Sequence, residues 1–139
     1  MFENQYVLSS SDLYKSLDSP KNKTINSKAL GTINYMSPEI IRGDTENGEG
    51  DYWSLGVILY IIFTRSHPFD SISGSGNTEE TILDNIILNQ INWAKLEKTD
   101  MTSELFDLVQ KFLTYDKKDR LCDLNKIKQH CYFKGIIIL

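Results

Sequence analysis

The chain has 139 residues and a mass of 16.0 kDa, the size of one domain or of part of a larger one. Hydrophobic residues make up 40% and aromatic residues 11%, enough apolar material for a core and too much for a disordered tail. A net charge of −4 and a pI near 5.1 argue against a broad basic surface for nucleic acid.

The longest apolar run, residues 55–63, is nine residues, against the roughly 20 that span a bilayer. Met1 is not followed by the basic and apolar regions of a signal peptide. Cys122 and Cys131 are too few for a disulfide framework. The expectation is an intracellular protein with reduced thiols, cytoplasmic or nuclear, without membrane or nucleic-acid partners.

Residues 1–30 are rich in Ser, Asn, Asp and Lys, whose side chains compete for backbone hydrogen bonds, and read as a loop or flexible insertion. A short helix over 12–17 is the alternative. From Gly31 to Ile41 the chain reads as compact and irregular, with Pro38 interrupting any regular element. Residues 43–50 read as a polar, glycine-punctuated loop.

Residues 52–64 are apolar on every side, which for a helix predicts a central, enclosed position. The β-branched Val57, Ile58, Ile61 and Ile62 would equally suit a buried strand; length and a cap at Asp51 favour the helix. His67-Pro68 stops that element, and 71–77 reads as a loop. Thr78 caps a second helix with Glu79 and Glu80 in its first turn and an apolar face of Ile82, Leu83, Ile86 and Ile87. A third helix starts near Thr102, with Leu105, Leu108, Val109, Phe112 and Leu113 at helical spacing. Residues 123–129 allow a last short helix. The expected fold class is mainly α.

Several segments, in order, carry a family likeness. Gly31-Thr32-Ile33-Asn34-Tyr35-Met36-Ser37-Pro38-Glu39 resembles the end of a protein kinase activation segment, which closes on Ala-Pro-Glu. Asp51-Tyr52-Trp53-Ser54-Leu55-Gly56-Val57 resembles the start of the central helix of the kinase C-lobe. His67-Pro68-Phe69, Asp119-Arg120-Leu121 and His130-Cys131-Tyr132-Phe133 follow in the family's order. The triplet Asp51-Tyr52-Trp53, the stretch Asp84-Asn85-Ile86-Ile87 with Ile91-Asn92-Trp93, and Ile127-Lys128-Gln129-His130 with Phe133-Lys134-Gly135-Ile136 are most similar to the AGC group, in its greatwall and microtubule-associated branch.

The resemblance implies an incomplete helical C-lobe over 31–136, preceded by an activation-segment insertion over 1–30 and followed by a tail, 137–139. It implies transfer of the ATP γ-phosphate to Ser or Thr of a protein substrate, with ATP and Mg as the family's cofactors. The alternatives are a non-catalytic, pseudokinase-like binding module and a gene-model fragment without independent function. Phosphoryl transfer needs a glycine-rich loop, a lysine–glutamate pair, a catalytic Asp and Asn, and a metal-binding Asp. None of those motifs occurs in these residues, so the chain alone is expected to carry no catalytic residue and to bind neither ATP nor metal; the missing N-lobe, or another chain, is the partner that would supply them.

The same resemblance gives Gly31, Thr32, Ile33 and Tyr35 to substrate binding, and Ser37, Pro38, Glu39, Asp51, Trp53, Gly56 and Arg120 to the structural motifs. It pairs Glu39 with Arg120 in a buried salt bridge. Where the family has a phosphorylatable residue three before Gly31, this chain has Lys28, leaving Ser27 as the phosphosite candidate. Ile61 stands where kinases selective for basic substrates carry Glu, and Arg65 and His67 replace a Gly and a Pro of the usual turn. Cys122, His130 and Cys131 lack a fourth ligand and tetrahedral spacing for zinc, so no metal site is expected.

Overall fold

The computed structural model describes residues 33–45, 47–71 and 77–136. Residues 33–35 make one turn of 3-10 helix. Six α-helices follow among the described residues: α1 Pro38–Ile41, α2 Glu49–Thr64, α3 Glu79–Ile87, α4 Trp93–Glu97, α5 Ser103–Phe112 and α6 Leu124–Lys128. A second 3-10 turn, Cys131–Phe133, closes the described part. No strand occurs among the described residues, as a mainly α chain requires.

Side-chain caps set most of the helix starts. Thr78, Asn92, Thr102 and Asp123 each accept a backbone N–H from the first turn of α3, α4, α5 and α6. Such a cap satisfies donors that have no partner inside the helix and contributes about 1 kcal/mol. α2 differs. It begins at Glu49, with Gly48 before it at a φ of 96°, so Asp51 lies inside the first turn and is not the cap that the sequence suggests. Only a glycine takes that left-handed turn without a steric cost. α2 ends on Arg65, also left-handed at φ 55°, before His67-Pro68 is reached.

Pro38 likewise has another role than interruption. It occupies the first position of α1, where a missing N–H costs nothing and a fixed φ suits the helix. α4 is not among the helices expected from the sequence, because Asn92 is not read there as a cap.

α2 is the centre of the packing, in contact with α4 and α5. Trp53, Val57 and Tyr60 are buried with Phe69, Ile82, Leu83, Ile86, Leu96 and Val109 in one cluster. Leu105, Leu108, Phe112 and Ile127 form a second cluster, shared by α5 and α6. Tyr60 Oη donates to the Asn92 carbonyl at 2.6 Å, pinning α4 to α2, and burial raises that phenol to about 12. Gly56 allows the close crossing: a Cβ there would stand 2.8 Å from Leu113 Cγ and 3.0 Å from Phe112 Cβ.

α2 is central, as its composition predicts, but it is not enclosed on all sides. Leu55, Ile58 and Ile62 are exposed, Ile62 to 64%. They recur at three and four residues and so share one face of the helix. Burial follows which neighbours are present, and no described element lies over that face.

Candidate functional site

The site is built around the segment 33–39. Ile33 is buried and Tyr35 exposed, so the turn anchors by one side chain and offers the other. Three contacts hold its backbone. Met36 N–H donates to the Ile33 carbonyl at 3.0 Å, Ser54 Oγ of α2 donates to the Tyr35 carbonyl at 2.7 Å, and His67 Nε2 donates to the Asn34 carbonyl at 2.7 Å. The His67 tautomer follows from its other nitrogen, where Nδ1 accepts the Phe69 N–H at 3.2 Å and so carries no proton. Burial pushes the His67 pKa below its ordinary value, against the opposing pull of the Asn34 carbonyl and Asp70. Position 67 stands out in the sequence as a departure from the family pattern; its clamp on Asn34 does not.

Glu39 follows in α1, 1% exposed, and meets Arg120, 4% exposed. Arg120 Nη1 stands 2.5 Å from Oε1, and Nη2 stands 3.0 Å from Oε2. The other three guanidinium N–H groups go to the carbonyls of Thr114, Glu49 and Tyr115 at 3.0, 3.2 and 3.1 Å. All five donors of the fork are therefore used. Its face lies over the Trp53 ring, 5.1 Å from the centroid, and Trp53 stacks on Phe69 at 5.5 Å. Burial, the largest single influence, raises the Glu39 pKa, but the hydrogen bonds from Arg120, Ser37 and the Glu39 backbone, with the Arg120 charge, together outweigh it, and the net shift is downward.

One guanidinium thus joins α1, the first turn of α2 and the loop after α5. Glu39, Trp53 and Arg120 meet at this junction and Ser37 and Pro38 directly precede Glu39; Ile33 and Tyr35 lie at the other end of the segment 33–39, and Gly56 packs against Leu113 and Phe112. Asp51 is exposed on α2. Gly31, Thr32 and Ser27, with the expected insertion 1–30 and tail 137–139, lie outside the described residues. Sequence reasoning missed Arg42 and Tyr115, where Arg42 Nη1 donates to Tyr115 Oη at 2.7 Å and that hydroxyl donates to the Ile87 carbonyl at 3.0 Å. A lone Arg and a lone Tyr, 73 residues apart, carry no spacing signal.

ATP and magnesium, which the fold implies, find no fitting site among the described residues. Magnesium takes oxygen ligands in near-octahedral geometry. The one grouping of potential ligands described is Asp107, His130 and Cys131, a carboxylate, an imidazole and a thiol within 4.8 Å of one another. Cys122, which the sequence set beside the last two, is not among them; its thiol donates to the Arg120 carbonyl at 3.2 Å.

The protein kinase domain model matches residues 11–133. The chain is 34% identical over 131 residues to the serine/threonine-protein kinase ppk18 of Schizosaccharomyces pombe, covering 93% of this chain and 9% of that protein. It is 34% identical over 110 residues to the probable serine/threonine protein kinase IREH1 of Arabidopsis thaliana, covering 78% of this chain and 8% of that protein. The crystal structure of the Rad53 kinase domain and SCD2 superposes with a TM-score of 0.61 at 27% identity, over 75% of this chain and 38% of that one. A second structure of the same domains, in complex with AMPPNP, gives 0.59 at 26% identity, over 73% of this chain and 39% of that one. The chain spans about a tenth of the length of these two curated relatives. On the match over 11–133, the helical architecture and the Glu39–Arg120 junction, it belongs to the protein kinase domain family.

Proposed function

We propose that this chain is the substrate-side and scaffold part of a serine/threonine protein kinase domain, active in transfer of the ATP γ-phosphate to protein Ser or Thr when joined to an ATP-binding part. The observation that carries the reading is the buried Glu39–Arg120 fork, which ties the segment 33–39 to the late helices. Family resemblance gives Gly31, Thr32, Ile33 and Tyr35 to the substrate side and Ser27 to phosphorylation. The AGC assignment, in its greatwall branch, rests on the sequence motifs around Trp53, Trp93 and His130. The expected compartment is the cytoplasm or nucleus.

Two features support an incomplete unit. The α2 face of Leu55, Ile58 and Ile62 is open. Asn34 Oδ1 and Trp53 Nε1 are buried without a hydrogen-bond partner among the described residues. Buried polar atoms are paired in most native structures, so these two call for neighbours outside the described set.

The test joins the chain to the kinase segment that precedes the matched stretch in the Schizosaccharomyces pombe relative, and follows radiolabel transfer from Mg-ATP to Ser- and Thr-containing peptides. Transfer by the joined protein, none by the 139-residue chain alone, and loss in Thr32→Ala is the expected result. A joined protein that folds and binds Mg-ATP but transfers nothing favours the non-catalytic binding module.

A further inference from the structure

We propose that Cys131 is a site of thiol–disulfide exchange with low-molecular-weight disulfides, with His130 as the base that takes its proton and Asp107 as the group that holds that base.

Three observations where α5 meets the last turn carry this. Cys131 is exposed. Its Sγ lies 3.8 Å from His130 Nδ1, within hydrogen-bond reach for sulfur. On the other edge of the ring, His130 Nε2 lies 2.7 Å from Asp107 Oδ2. A carboxylate accepts, so Nε2 carries the proton and Nδ1 presents its lone pair. Tyr132 N–H, donating to Nδ1 at 3.2 Å, reports the same tautomer. The His130 side chain is 6% exposed, so the ring is fixed while the thiol beside it is open. Lys111, which pairs with Asp107, and His130 together hold that carboxyl below its ordinary range. Nucleophile, base and orienting carboxylate in series are the arrangement that activates a weak nucleophile.

The step balances without a further oxidant. The Cys131 proton passes to Nδ1, and the thiolate attacks one sulfur of the disulfide. A new S–S bond forms as the old one breaks, and the departing thiolate recovers the proton from the imidazolium. Tyr132 N–H must release Nδ1 meanwhile, a local change at the His130 cap of the Cys131–Phe133 turn, while Tyr132 and Phe133 keep the turn packed on α5. A metal is the poorer reading of the same three residues, because both ring nitrogens and the carboxylate are already engaged.

Cys122 is the internal control. It is only partly exposed, and its thiol donates to a carbonyl, which accepts a hydrogen bond but cannot take the proton.

The experiment incubates the 139-residue chain with oxidised glutathione at pH 7, natively and in concentrated urea, and follows the mixed disulfide at each cysteine by peptide mass spectrometry. Native Cys131 is expected to react about tenfold faster than the same thiol in urea, the gain of a positioned base. Cys122 is expected to react more slowly natively than in urea. His130→Asn, which keeps an acceptor for Tyr132 N–H, is expected to bring Cys131 down to the urea rate with an unchanged helical signal. Should that variant unfold, Asp107→Asn, at a half-buried position, serves in its place, with the same fall expected. A native Cys131 no faster than in urea, or full rate in a folded variant, would overturn the proposal, exposure alone then explaining the reactivity.

Discussion

Arg120 grips Glu39 across 81 residues of sequence with both arms of its guanidinium, at 2.5 and 3.0 Å, and both residues are buried. Removing one partner strands the other charge. Arg120→Leu is expected to cost about 3–5 kcal/mol, read from urea unfolding. The double variant Glu39→Leu/Arg120→Met is expected to recover only part, because the Thr114, Glu49 and Tyr115 carbonyls still lose their donor, at about 1 kcal/mol each. Full recovery would mean that those three bonds contribute nothing. The Glu39 pKa is lowered in the folded chain, so its stabilisation is present above the unfolded value of 4.5 and is lost as pH falls through the folded one.

His67 gives the opposite charge and the same direction of pH dependence. Its folded pKa lies below the ordinary 6.5, because burial disfavours the imidazolium and Nδ1 must stay unprotonated for Phe69 N–H. The unfolded chain therefore takes up a proton first as pH falls, and stability drops below about pH 6.5. Unfolding free energies at pH 7.5 and 5.5 measure this. His67→Gln is expected to reduce the difference; an unchanged difference would remove His67 as its source.

Gly56→Val is expected to destabilise by about 1–3 kcal/mol, through overpacking against Leu113 and Phe112. Its small gain in helix propensity, a few tenths of a kcal/mol, does not offset that. Thermal unfolding checks it, with a neutral result meaning that α5 can shift away.

The open face of α2 gives a prediction by contrast. Phe69, fully buried, should cost about 3–5 kcal/mol on replacement by Ala. Ile62→Gln, at a position 64% exposed, should change the stability of the isolated chain by less than about 0.5 kcal/mol. It should also lower the binding of a hydrophobic dye, which the wild-type chain is expected to show. A chain that binds no dye and melts in one sharp transition would show that α2 is covered in solution.

Local chemistry made much of the fold readable. Thr78, Thr102 and Asp123 announced three helices, because a short oxygen side chain before an apolar period has few other uses. Glu39 and Arg120 could be paired only through the family likeness, since a carboxylate and a guanidinium 81 residues apart leave no mark on local pattern. α2 was legible as a helix, but its cap was misplaced. Asp51 is a good capping residue, and the decision went to Gly48, whose backbone alone accepts the left-handed turn.

What the amino-acid order determined by itself is the set of helices with polar caps and a 3.6-residue period, because those depend on neighbours within a turn or two. Tertiary structure decided the rest. The apolar α2 became buried on one side and open on the other, according to which helices lie against it. His67, no more than a sequence departure, became the clamp on Asn34 once folding brought residues 33 positions apart to 2.7 Å. Asp107, unremarkable on its helix, came to face His130 and Cys131 because α5 and the last turn pack together. Burial, pairing and proton position are properties of neighbours in space, and a linear pattern carries them only where those neighbours are also near in sequence.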